Sequence, residues 1–184
     1  MDALSAAAFG VVLAACAGLR AFLPLFSASL GAHFFELPLP DYLGWLDRPG
    51  TLILFGVATV LELLGDKIPV VDHLLDSVQT LVKPVVGVIA ATPFLYQLSP
   101  EYAVGIGIAL GAPLALGVHA AKATARVGST ATTAGLGNPV LSILEDVAAG
   151  TAIALAFIAP VLALAVVVGL LVALVWLVAK VRRR

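Results

Sequence analysis

The chain has 184 residues, 61% of them hydrophobic and only 11% charged, with a formal net charge of −1. Its mean hydropathy is +1.12, whereas a soluble domain keeps about a quarter of its residues charged to meet water. These values exclude an ordinary soluble globule and a basic nucleic-acid-binding face. They make the lipid bilayer the chain's solvent and partner.

In chain order, residues 3–30 form a first apolar segment, interrupted by Arg20 and Pro24. About 20 apolar residues cross the hydrocarbon, so this segment is expected to span, with a kink at Pro24. Asp2 and the absence of a basic start argue against a cleaved signal peptide. Cys16 is the single cysteine, so no intrachain disulfide can form. Residues 32–50 carry His33, Glu36, Asp41, Asp47 and Arg48 with Pro38, Pro40, Pro49, Tyr42 and Trp45. Aromatic residues beside charges predict an interfacial loop, and its acidic bias fits the outer side.

Residues 51–65 are a short apolar stretch that ends at Glu62, Asp66 and Lys67. Residues 69–83 mix Asp72, His73, Asp76, Gln79 and Lys83 with Val and Leu, and residues 85–96 are apolar again. Both apolar stretches are short for a crossing. Either they extend into the charged stretch, or that stretch enters the membrane as broken or re-entrant helix surrounded by protein. Residues 98–101 read as a turn, and 102–126 as a Gly- and Ala-rich helix suited to close packing. Residues 128–138 read as a polar loop whose hydroxyls between Ser129 and Thr133 line a pore, bind an anion or simply face water. Residues 147–180 are apolar with one breaker, Pro160, which predicts a piece ending at Ala159 and a full span from 160 to 180.

The expected fold is an all-α integral membrane protein of about six (five to six) transmembrane or broken helices in a single domain, 1–184. Lys180 and Arg182–Arg184 belong in the cytoplasm by the positive-inside rule. An even count puts both termini there, in a bacterial inner membrane.

Two stretches echo one another, Pro69-Val-Val-Asp-His-Leu-Leu-Asp76 and Pro139-Val-Leu-Ser-Ile-Leu-Glu-Asp146. In each, proline suits a first helical turn and an acid follows two turns later. Asn138, before Pro139, is placed to cap the second of these helices. The echo marks two similar Pro…Asp helix starts inside internal repeats around 12–97 and 102–180, the pattern that points to transporter binding sites.

Ionisable residues at membrane depth are costly and face a partner or water. The candidate ion, proton or substrate path is Glu62, Asp66, Asp72, Asp76, Glu145 and Asp146. Glu62 and Asp66 are four apart, as are Asp72 and Asp76, so each pair shares a helix face. His119, Lys122 and Arg126 share another face and, with Arg20 and Lys67, form the counter-charges or anion contacts. The acids could hold a hard cation such as Mg²⁺ or Ca²⁺, or His73 could relay a proton among them. The bland alternative is a set of internal ion pairs that fix helix packing. No nucleophile elbow, phosphate loop, zinc-protease motif or Cys pair is present, so no enzyme activity and no cofactor beyond such a cation is expected, and the metal stays unknown.

Gly18-Leu-Arg-Ala-Phe22, Glu62-x-x-x-Asp66-Lys-x-Pro69-x-x-Asp72-x-x-x-Asp76 and Gly137-Asn-Pro-x-x-Ser142-x-x-Glu-Asp146 resemble the uncharacterised bacterial membrane proteins grouped as domain of unknown function 4126. The resemblance runs from about Leu13 to Asp146 and leaves the last span outside. It implies a membrane fold and a role for these residues, and supplies no substrate. The expected function is a small transporter or channel for an ion or small solute, working as a homo-oligomer along an acidic path. The alternatives are a structural or assembly protein held by ion pairs, and a lipid-handling, scramblase-like protein.

Overall fold

The computed structural model describes residues 2–37 and 39–182, without the side chains of residues 69, 70, 72, 73, 174, 175 and 177–182. Within them the chain is all α, with helices α1 (Ala3–Leu19), α2 (Phe22–Phe35), α3 (Pro49–Gly65), α4 (Pro69–Tyr96), α5 (Ala103–Ile106), α6 (Ala112–Thr133), α7 (Asn138–Ile158) and α8 (Pro160–Arg182).

Asp2 caps α1 by accepting the Ser5 amide at 2.7 Å, which holds its carboxyl below the usual range. The helix stops at Arg20, whose backbone is extended (φ −133°, ψ 125°). The break in the first apolar segment therefore lies at Arg20 and not at Pro24. Pro24 sits in the first turn of α2, where its missing N–H costs no hydrogen bond. The chain also reverses there. The Phe157 ring lies 4.7 Å from Phe9 of α1 and 5.4 Å from Phe35 of α2, so α2 returns along α1.

Residues 32–50 are less of a loop than expected. α2 continues to Phe35, Glu36 takes the left-handed conformation (φ 50°), and Asp41–Asp47 form a 3-10 helix bent 66° from α3. His33 and Asp47 meet at 3.0 Å and close this end.

The charged stretch 69–83 is the first half of one 28-residue helix, α4, which passes through Pro84 and Pro93. Of the two expectations for this region, extension of the apolar stretch into the charged one is what occurs. α5 runs into α6 through a π-helical turn, Gly107–Gly111, giving one helical stretch Ala103–Thr133. Gly87 of α4 meets Gly111 so closely that a Cβ on Gly87 would fall 2.6 Å from the Gly111 carbonyl oxygen. Residues 128–133 are helical too, which shrinks the expected loop to a turn at 134–137. Ala134 and Gly135 take positive φ there (52° and 87°). Ala159 (φ −146°, ψ 76°) separates α7 from α8 just before Pro160, as the sequence predicts.

Among the described residues three helical stretches are long and apolar enough to cross a membrane: Leu74–Tyr96, Ala103–Thr133 and Asn138–Ile158. A fourth is added if Asp41–Asp47 and Pro49–Gly65 count as one bent span. α1 and α2 are apolar but shorter, and of α8 the stretch Pro160–Ala173, where every side chain is described, is apolar throughout.

The core is built around α1. Phe9, Val12, Leu13 and Ala17 are fully buried, and Phe9 stacks on Phe94 of α4 at 4.3 Å. The contacts also give direction. Phe9 meets Phe157, Cys16 Sγ lies 3.9 Å from the Ala149 carbonyl and Arg20 reaches Ser142. α1 is thus antiparallel to α7, as α8 is after its turn at Ala159, so α1 and α8 run the same way. One end of the bundle collects the C-terminal ends of α1 and α3, the C-terminal half of α6 and the N-terminal parts of α2, α4 and α7.

Candidate functional site, a buried charge cluster

That end holds the charged residues. Arg20 is fully buried, and its guanidinium pairs with Asp66 and Asp146 and lies 3.6 Å from Glu145. It also donates to the Ser142 carbonyl at 3.1 Å and hydroxyl at 3.2 Å. The Lys122 ammonium sits among Asp76 (3.2 Å), Glu145 (3.4 Å) and Asp66 (3.6 Å). Arg126 makes a two-pronged contact with Glu145 (3.0 and 3.3 Å) and approaches Asp66 and Asp76 at 3.6 and 3.7 Å. Lys67 pairs with Asp146 and donates to the Ser142 hydroxyl at 2.7 Å.

Glu62 does something different. Its two carboxylate oxygens accept the backbone amides of Ala21 (2.7 Å) and Phe22 (3.0 Å), and one of them also accepts the Gln79 side-chain amide (2.6 Å). Breaking the chain at Arg20 exposes these N–H groups at the start of α2, and a buried donor without a partner is costly. A carboxylate from a neighbouring helix meets that need with charge-assisted bonds.

Lys83 and His119 form the cluster's inner edge. The Thr80 hydroxyl donates to the Asp76 carbonyl at 2.8 Å, so at 2.9 Å it accepts from His119 Nε2. His119 Nδ1 then accepts from the Lys83 ammonium at 3.0 Å. With the Thr80 hydroxyl turned to the Asp76 carbonyl and Lys83 as an ammonium, these contacts fit a neutral imidazole protonated on Nε2.

Helix dipoles add little to this arrangement: no acid lies in the first turn of α7 and no base in the last turn of α1, α3 or α6, and the dipole's influence fades beyond the terminal turn. The carboxylates are compensated by neighbouring cations and, for Glu62, by the Ala21 and Phe22 amides.

Ten of the sequence-predicted residues thus meet in one place: Arg20, Glu62, Asp66, Lys67, Asp76, His119, Lys122, Arg126, Glu145 and Asp146. The side chains of Pro69, Asp72 and His73 lie outside the described residues. Pro139 occupies the first turn of α7. Asn138 does not cap that helix through its side chain; its amide donates to Thr130 Oγ1 at 3.0 Å. Lys83, Gln79, Thr80 and Ser142 complete the network: Lys83 stands among the bases of the charged stretch and Ser142 in the motif of the family resemblance, whereas Gln79 and Thr80 are not among the candidates. Asp76, Gln79, Thr80 and Lys83 follow the i, i+3, i+4, i+7 spacing of one α4 face, a signal the sequence did carry.

Among the described residues no three His, Cys, Asp or Glu side chains group as a metal site. Asp66, Asp76 and Glu145 instead converge on Lys122 and Arg126, so side-chain cations stand where a bound cation would. A cavity of about 470 Å³ lies beside the cluster, lined by Asp76, Arg126, Thr130 and Asn138 with apolar side chains of α6.

A family model described as Domain of unknown function (DUF4126) matches residues 7–180. The chain belongs to this family. The match takes in most of α8, so the last apolar helix is part of the shared architecture and not outside it, as the sequence motifs alone imply. No curated protein and no solved structure matches the chain. Family and apolar helices together make this an integral membrane protein of a bacterial family.

Proposed function

We propose that the cluster is an internal lock, and that this is a structural or assembly membrane protein of non-catalytic function whose helices are held in register by buried ion pairs. One observation carries the reading. Every described carboxylate of the cluster faces a cation or, for Glu62, backbone amides, and each cation faces a carboxylate. Burying charges is tolerable only with such pairing. In liposomes the wild-type chain then moves no ions, and Asp66→Asn lowers the unfolding temperature. Ion or proton flux that disappears in Asp76→Asn while the fold is kept would replace the lock with a path.

That second reading, a small transporter or channel along the acidic side chains, draws on the cavity beside Asp76. There Asn138 Oδ1, buried, has no hydrogen-bond donor among the described residues, and Asp76 and Asp146 are partly exposed.

The internal repeat receives a physical form in this proposal. α3 brings Glu62 and Asp66 to the cluster and leads into the Pro69 helix; α6 brings Lys122 and Arg126 and leads into the Pro139 helix. Two i, i+4 pairs of opposite charge are thus presented by equivalent helices, and both Lys122 and Arg126 approach Asp66. We place the terminal arginines in the cytoplasm of the bacterial inner membrane. The common direction of α1 and α8 then favours an N-terminus on the opposite side, in place of two cytoplasmic termini. A homo-oligomer would cover the exposed apolar face of α3, where Ile53, Leu54, Val57, Leu61 and Leu64 point outward.

A further inference from the structure

Between α1, α6, α7 and α8 lies an open cavity of about 320 Å³, at the lower end of the range that holds small ligands. Its wall is almost wholly apolar and includes Cys16, Ala121, Ala148, Ala152, Val167 and Leu171. Lys122 and Glu145, 3.4 Å apart, are its charged residues. The space exists because α1, α6 and α7 present small alanines there, while α8 packs on them with longer Val and Leu side chains.

Three occupants can be weighed. Water needs two to four polar partners, and the wall offers polar groups only at the Lys122–Glu145 end. An empty space would forfeit dispersion contacts along its whole lining. Hydrocarbon satisfies the wall and is supplied by the bilayer, because the cavity opens beside Leu144 and Leu170, whose side chains are exposed on the outer face of α7 and α8.

The polar end also fixes an orientation. Lys122 and Glu145 belong to the charge cluster, whose Lys67, Asp76 and Asp146 are partly exposed. Exposed charges need water or lipid head groups beside them, which sets this end of the cavity toward the head groups of one leaflet. From there the apolar wall leads away along α7 toward Ala152 and along α8 toward Val167. We infer that this groove binds one acyl chain of a bilayer phospholipid from the leaflet on the cluster side, with the head group beyond the charged end of the groove. The inference holds whether the cluster is a lock or a path.

The chain is reconstituted into vesicles of phosphatidylethanolamine and phosphatidylglycerol, released into detergent and weighed by native mass spectrometry. Wild type is expected to keep one phospholipid per chain, of either head group if the acyl chain dominates. Ala152→Phe and Val167→Phe, which fill the groove from opposite walls, are expected to lower retention about tenfold, whereas Ile143→Trp, on the exposed face of α7 outside the groove, leaves it unchanged. Added lipid should raise the unfolding temperature of wild type and of Ile143→Trp but not of the filled variants. Using two filling variants covers the failure of either to fold. Equal retention in all four proteins overturns the inference. So does a dimer mass without lipid that the filling variants abolish, which would assign the groove to a second copy of the chain.

Discussion

Glu62 of α3 accepts the backbone amide of Ala21 at 2.7 Å, 41 residues earlier in the chain. A helix start is usually capped from within its own first turn. Here the cap comes from another helix, because α2 begins inside the protein at the reversal made by Arg20. The same carboxylate is therefore a structural element of the α1–α2 turn and a neighbour of the charge cluster.

Glu62→Ala is expected to be among the most damaging single changes. It leaves the Ala21 and Phe22 amides and the Gln79 side chain without their acceptor, at about 1–3 kcal/mol for each buried group left unpaired. Glu62→Gln keeps the shape and one acceptor oxygen but turns an NH2 toward one of these donors, and should lose less than Glu62→Ala. Thermal unfolding in detergent compares the two. Equal losses would mean that the cap contributes only through charge.

Arg20→Met removes the cation shared by Asp66, Asp146 and Glu145, with an expected loss of about 3–5 kcal/mol because those carboxylates stay buried. Arg20→Lys should recover little, since one ammonium cannot reproduce a planar fork that serves carboxylates and Ser142 together. The double change Arg20→Met with Asp66→Leu should be milder than the sum of the single ones. A denaturation series on the four proteins gives the coupling energy, and strict additivity would contradict a direct pair.

Lys67 belongs to the same network but at its rim, with a third of its side chain exposed. Water can replace it there, so Lys67→Ala is expected to cost no more than about 1 kcal/mol. Measured beside Arg20→Met, it separates position from charge. A loss equal to that of Arg20→Met would place the rim in the dry interior.

Gly87→Leu should prevent native packing of α4 on α6, since even a Cβ there would meet Gly111 oxygen at 2.6 Å and the Ala115 Cβ at 2.9 Å. The expected cost is about 1–3 kcal/mol or more. Gly105, a few residues before the π-helical turn, has nothing within 4 Å of an added Cβ. Gly105→Ala should be neutral or stabilising by about 0.5–1 kcal/mol through helix propensity. Yields of monodisperse protein and unfolding temperatures check both.

Local physics made several features legible in advance. The excess of apolar residues fixed the membrane class, because a globule with so few charges cannot cover itself toward water. Pro69, Pro139 and Pro160 marked helix starts, since proline fits a first turn and little else in a helix. The i, i+4 spacing put Glu62 with Asp66, and Lys122 with Arg126, on single faces. What misled was also local. Pro24 looked like a kink, but its position in a first turn became visible only once the helix was seen to end at Arg20. The hydroxyl-rich residues 128–133 looked like a loop, yet they continue α6.

The sequence by itself determined which residues carry charge into a hydrophobic chain and on which helix faces they stand. Whether the acidic faces would meet each other, meet a cation or meet the basic face was a matter of helix direction and packing, which no residue spacing encodes. Only the tertiary structure decided that Asp66, Asp76 and Glu145 close on Lys122 and Arg126, and that Glu62 turns to the amides of Ala21 and Phe22. The physical reason is that a buried charge is stable only beside its compensation. Where that compensation stands depends on how distant segments of the chain pack.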